Sequence, residues 1–201
     1  TLSIIQMHLS RFAEDMILYS TAEFDYLDLP EEFCTGSSLM PHKKNADLME
    51  LVRGYTGYIY GNLVSLLVTM KGLPLTYNRD MQLDKEPLFA SVDLLEKELD
   101  MLIRFVPGIR LKNKKIEAAL RDEHLYGVEV AEYLVNNGVA FKDAHDITGK
   151  LVRYSEDHDI PIKEIPDDKL AEFHGSLSGK TLKEIMTPAY AMRQKRSVKK
   201  T

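Results

Sequence analysis

ADLMELVRGYTGYIYGNLVSLLVTMK, residues 46–71, is the stretch on which the fold turns. Leu48, Leu51, Val52, Tyr55, Ile59, Leu63, Leu66 and Met70 recur with the helical period, so the spacing predicts one long helix. Gly54, Gly57 and Gly61 fall on one side of it, at i, i+3 and i+7. Each glycine costs a helix interior about 1 kcal/mol relative to alanine. Three on one face predict that another helix approaches very closely there. The uncharged part, residues 54–70, contains tyrosines and an asparagine. It falls short of the roughly 20 strongly apolar residues that cross a bilayer, so it reads as a bundle helix.

Working outward, Leu2, Ile5, Leu9, Phe12 and Met16 predict a first helix over about 2–24. Gly72-Leu73-Pro74 ends the long helix, and a polar run follows from Tyr77 to Glu86. Leu88, Val92, Leu95, Leu99, Leu102 and Phe105 form the stripe of a third helix over 86–105, stopped by Pro107-Gly108. Beyond it the elements shorten, with helices expected over 116–121, 128–136, 142–156 and 166–173. Gly138 suits the position just past a helix end. Thr181-x-x-Glu184 reads as a capping box, and Thr187-Pro188 as a cap with a first-turn proline. The basic end, 193–200, reads as a fraying tail, and no stretch alternates like a strand. The expected class is all-α: part of a long-helix bundle over 1–107, and a small helical domain over 108–201.

Bulk properties narrow the function. The 201 residues carry a net charge of −5 and 44% hydrophobic residues. Acidic balance argues against nucleic acid or an anionic membrane as the main partner. The single Cys34 has no internal disulfide partner, which fits a reducing, cytoplasmic compartment. Amphipathic periodicity begins at Leu2 with neither a signal peptide nor a capping residue before it, which reads as the C-terminal portion of something longer.

The chemistry concentrates in Thr35-Gly36-Ser37-Ser38-Leu39-Met40-Pro41-His42-Lys43-Lys44-Asn45, immediately before the long helix. A helix N-terminus offers free N–H groups and a positive dipole end. Lys43 and Lys44 would add charge for carboxylates or phosphates, and a serine held there would ionise more easily than in water. On physical grounds alone, a helix cap plus a solvated basic loop is the simpler explanation of these residues. The run Tyr77-Asn78-Arg79-Asp80-Met81-Gln82-Leu83-Asp84-Lys85-Glu86 is a solvated turn or a site for a polar zwitterion.

GSSLMPHKKN, residues 36–45, resembles the GSSxMPxKxN loop of the fumarase/aspartase superfamily of lyases. KGLPLTYNRDMQLDKEPLF (71–89) and HLSRFAEDMILYS (8–20) resemble the argininosuccinate lyases within it, and the resemblance covers essentially the whole chain. It implies an all-α homotetramer whose long helices form a common bundle, with each site drawn from three subunits. It implies β-elimination of argininosuccinate to arginine and fumarate in arginine biosynthesis, without a cofactor. By the motif, Ser37 would be the base and Lys43 the stabiliser of the carbanion's carboxylate. Ser38, Asn45, Tyr77, Gln82 and Lys85 would bind substrate. The family's upstream site segments, one with a histidine, are not among these residues, so the chain by itself is expected to be inactive. His42 occupies a variable position of the pattern, and Ala46 stands where proline is common. The histidines show no metal-ligand spacing, and no metal site is expected. A delta-crystallin-like structural relative and a sister lyase acting on adenylosuccinate are the competing readings. The 35–44 loop is expected to close over substrate.

Overall fold

The computed structural model describes residues 1–36, 40 and 44–195. The chain divides into two compact units, Thr1–Ile116 and Glu117–Thr201.

The first unit is built on α1 (Leu2–Ser20), α2 (Asp47–Met70) and α3 (Lys85–Phe105). Arg53 of α2 pairs with Glu14 of α1 at 2.6 Å, and Gln6 bonds the Val52 carbonyl at 2.9 Å. Asn62 of α2 donates to Ser91 of α3 at 3.0 Å, while Gln6 also reaches Glu98 of α3 at 3.3 Å. The later residue of α3 therefore lies beside the earlier part of α2, so these two helices run antiparallel. Ala13, Leu27, Leu29, Met49, Val52, Leu102 and Phe105 form the buried cluster where the helices meet the loops.

Helix α1 stops four residues short of the expected end. Thr21 is extended, Asp25 takes a positive φ of 53°, and the Tyr26 amide donates back to the Tyr19 carbonyl at 2.9 Å. The reversal gathers Tyr19, Phe24 and Tyr26 into an aromatic group with centroids 5.7–6.1 Å apart. Four two-residue strands also appear where none was expected. β1 (Leu27–Asp28) pairs antiparallel with β4 (Arg110–Leu111), and β2 (Thr35–Gly36) with β3 (Lys44–Asn45). Two residues are too few to show alternation. The β1–β4 ladder, with Lys112 donating to the Tyr26 carbonyl at 2.9 Å, holds the segment after Pro107-Gly108 in the first unit.

The glycine face of α2 is open. A Cβ placed at Gly54, Gly57 or Gly61 would meet nothing within 4 Å, so no described helix of this chain packs there. Only Met49, Val52 and Ile59 of this helix are buried, while Leu51, Tyr58, Val64, Leu67 and Val68 are more than half exposed. A helix apolar on all sides carries more apolar surface than two neighbours on one side can cover.

The second unit packs α5 (Gly127–Asn136), α6 (Phe141–His158), α7 (Asp167–Phe173), α8 (Gly179–Ile185) and α9 (Pro188–Gln194) around Tyr126, Val130, Leu134, Leu151, Leu170, Leu182 and Met186. Helix α4 (Asn113–Ala119) spans the division. Gly138 has φ +89°, the left-handed turn expected after α5. Thr187 caps α9 by accepting from the Tyr190 amide at 3.2 Å, with Pro188 in the first turn. The cap of α8 is Ser178, whose hydroxyl accepts from the Thr181 amide at 3.1 Å, so Thr181 lies inside the helix and not at its start. Ser178→Ala should cost about 0.5–2 kcal/mol in urea unfolding. Thr181→Ala should cost less, because the Ser178 bond runs to its backbone; a larger loss in Thr181→Ala would return the cap to Thr181.

Candidate active site

The β2–β3 ladder closes the base of the motif loop, pairing Thr35 with Asn45 and Gly36 with Lys44. Asp47, the first residue of α2, fastens that base. Its Oδ1 accepts from the Thr35 amide at 3.4 Å, and its Oδ2 accepts from the Thr35 hydroxyl. An acid in the first turn also suits the positive end of the helix dipole. Asn45 is half-buried on β3. Ser37, Ser38, His42 and Lys43, and with them the loop's closure over substrate, lie outside the described residues, as does the tail 196–201.

Lys44 does not offer a free charge to an anion. Its Nζ lies 3.1 Å from Glu31 Oε1 and 3.3 Å from Asp28 Oδ1. The Glu31 hydrogen bond, helped by Asp28, raises the pKa of the ammonium. Of the two lysines read together from the sequence, this one belongs to the base of the loop. Cys34, beside it, is half-buried and free, and burial pushes its thiol pKa up. Asp28, Glu31 and Asp47 were not singled out in the sequence. Only the adjacency of Asp47 to the motif could have flagged one of them.

The second polar run lies at the other end of α2. Tyr77 is 66% exposed, and a 3-10 turn, Arg79–Asp84, leads into α3. Gln82 and Lys85 are exposed. Lys85 Nζ sits 2.9 Å from Asp84 Oδ1, and that bond raises its pKa, with a smaller influence in the same direction from Tyr77. Asp84 thus occupies the Lys85 ammonium, and Asn45 lies beyond the opposite end of α2. The 24 residues of α2 span about 36 Å between Asn45 and this group. No small molecule touches both ends within one chain.

Among the described residues no group of His, Cys, Asp and Glu could hold a metal ion, and His8 is exposed on α1. Among the described residues no helix is long and apolar enough to cross a membrane. A groove of about 550 Å³ lies between α5 and α6, lined by Leu125, Val128, Phe141 and Val152, and contains none of the residues expected at the site.

Residues 124–193 match the family Argininosuccinate lyase C-terminal, and residues 1–61 match the family Lyase. The chain is 48% identical over 86% of its length to the argininosuccinate lyase of Ruthia magnifica subsp. Calyptogena magnifica, covering 36% of that protein. It is 49% identical over 85% of its length to the argininosuccinate lyase of Clostridium kluyveri, covering 39%. The chain therefore spans little more than a third of the length of these relatives. In fold it is similar to a solved EDDS lyase in complex with formate, with TM-score 0.80 and 22% identity over 98% of this chain and 40% of that one. A class II fumarase from Schistosoma mansoni superposes with TM-score 0.75 and 22% identity, over 97% of this chain and 38% of that one. These likenesses agree with an all-α fold of the fumarase/aspartase type.

Proposed function

Because the chain belongs to the argininosuccinate lyase family, we propose that the whole protein splits argininosuccinate into arginine and fumarate. The observation that carries this reading is the 48% identity over 86% of the chain to an argininosuccinate lyase, together with the GSSLMPHKKN loop. Ser37 takes the proton from the carbon beside a succinyl carboxylate. The electron pair left behind spreads onto that carboxylate, where the Lys43 ammonium stabilises it. The pair then forms the carbon–carbon double bond of fumarate as the carbon–nitrogen bond breaks, and the leaving nitrogen of arginine takes up a proton. Ser38 and Asn45 hold substrate at this end, and Tyr77, Gln82 and Lys85 hold it at the other.

The separation of these groups along α2 favours a site assembled from several copies, in keeping with a homotetramer. The open apolar surface of α2 supports the same reading. Arginine biosynthesis places the protein in the cytoplasm, acting on a small molecule without nucleic acid, membrane or cofactor.

The test is fumarate release by the complete purified protein, followed by absorbance, with argininosuccinate and adenylosuccinate in parallel. Release from argininosuccinate alone is expected, with none from the 201-residue chain by itself. Release from adenylosuccinate alone would make it the sister lyase. A folded, inactive protein would make it a structural relative.

A further inference from the structure

Three helices bring polar groups into the middle of the first unit. Gln6 of α1 is fully buried, and Glu98 of α3 is 4% exposed. Gln6 Nε2 donates to the Val52 carbonyl of α2 at 2.9 Å and to Glu98 Oε1 at 3.3 Å. Gln6 Oε1, Glu98 Oε2 and the Thr56 hydroxyl, one turn along α2 from Val52, are buried without a hydrogen-bond partner. They are three of the four such side-chain atoms among the described residues. Buried polar atoms in native proteins are nearly always paired, because no water replaces a lost bond. The next polar pair along the same helices is satisfied: Asn62 donates to Ser91 at 3.0 Å, and Ser91 to the Pro87 carbonyl at 2.7 Å. Within the first unit the unpartnered atoms among the described residues are those of Gln6, Thr56 and Glu98.

We infer that Glu98 is a proton-dependent lock on the three-helix unit: neutral, it closes the polar cluster between α1, α2 and α3; ionised, it loosens their packing.

Donor counting leads to this reading. With Glu98 ionised, Gln6 Oε1 and Glu98 Oε2 are two unpartnered acceptors on hydrogen-bonded side chains, and both Gln6 N–H donors are already committed to the Val52 carbonyl and Glu98 Oε1. One proton taken from solvent at Oε2 supplies the missing donor and removes a buried charge. Side-chain adjustment or a bridging water then suffices to join the group.

Among the described residues no cation pairs with Glu98 to stabilise the ionised form. On α1, His8, Arg11 and Glu14 are exposed, and on α2 so are Glu50 and Arg53, the latter paired with Glu14. Tyr55 is half-buried and packs edge-on against Tyr58. On α3 itself Glu96, Lys97 and Asp100 are exposed. The 3-10 turns Arg79–Asp84 and Val106–Gly108 adjoin the two ends of α3, away from Glu98. Burial raises the Glu98 carboxyl from 4.5 to about 7, against a smaller lowering by the Gln6 bond.

The direction of the pH effect follows. A carboxyl whose pKa is higher folded than unfolded contributes stability that is fully present below the unfolded value and is lost as pH rises through the folded one. The window is therefore from 4.5 to about 7. The test is urea unfolding of the chain from about pH 5 to about pH 8, beside Glu98→Gln, whose uncharged amide offers an acceptor oxygen and a donor nitrogen where the neutral acid offers a carbonyl and a hydroxyl. The unfolding constant of the native chain should rise up to about tenfold per pH unit relative to Glu98→Gln, levelling off above about pH 7. Parallel pH profiles for the two proteins would overturn the lock. Should Glu98→Gln fail to fold, infrared spectroscopy of the native chain decides. A protonated-carboxyl band at about pH 6, above the ordinary carboxylate range, supports the lock, and its absence refutes it.

Discussion

Ser37→Ala in the complete protein lowers the turnover number on argininosuccinate by about 10²–10⁴-fold, the usual contribution of a positioned base, and leaves KM nearly unchanged. In the proposed mechanism the serine acts only in the transition state, so its loss is expected to fall on kcat. Lys43→Met is expected to lose rate in the same way, because in the proposed mechanism a neutral side chain would no longer meet the charge gathering on the substrate carboxylate. Lys44→Met is the informative control. Its ammonium is held by Glu31 and Asp28 at 3.1 and 3.3 Å. Its removal should therefore cost less than about tenfold, the size of a positioning effect and well below that of a missing base. A Ser37→Ala protein with more than about a tenth of the native rate would take Ser37 out of the mechanism. Equal losses in the two lysine variants would undo the distinction between them.

Phe105→Ala should destabilise the first unit by about 3–5 kcal/mol, the range for truncating a buried phenylalanine. The ring is 0% exposed and meets Phe33 edge-to-face with centroids 5.8 Å apart. It fills the space between Ala13, Met49, Val52 and Leu102, where α1, α2 and α3 converge. Leu99 stands in the same sequence stripe but is 42% exposed, and Leu99→Ala should cost only about 1 kcal/mol or less in the isolated chain. With no tryptophan present, unfolding is best followed by the far-ultraviolet helix signal. Equal costs for the two would mean that the buried end of the stripe has been placed wrongly.

Helix α3 shows what a periodic stripe can convey. Leu88, Leu95, Leu99, Leu102 and Phe105 share one face, yet Leu95, Leu102 and Phe105 are buried while Leu88 and Leu99 are not. Periodicity gives the apolar side of a helix only approximately: Leu99, between the buried Leu95 and Leu102, falls at the edge of the packed face, which takes Glu98 instead. The same limit applies to α2, where the spacing of Gly54, Gly57 and Gly61 suggested a close helix and no described part of this chain supplies one. In α8 the local rule was sound, but Ser178 took the cap three residues before Thr181, because both hydroxyls lie within reach of the same helix start.

From the residues alone came the all-α class, the three long helices, the motif loop with Asn45 at its edge, and the membership of a lyase family. Helical period and a ten-residue motif are local properties, written in neighbouring side chains. Tertiary structure alone decided that Asp47 fastens Thr35 and that Asp28 and Glu31 occupy Lys44. It alone brought Gln6 and Glu98 together beside the Val52 carbonyl. Such pairings join residues far apart in the chain, and they depend on how helices cross and where two-residue strands meet, for which no run of neighbouring residues carries a signal.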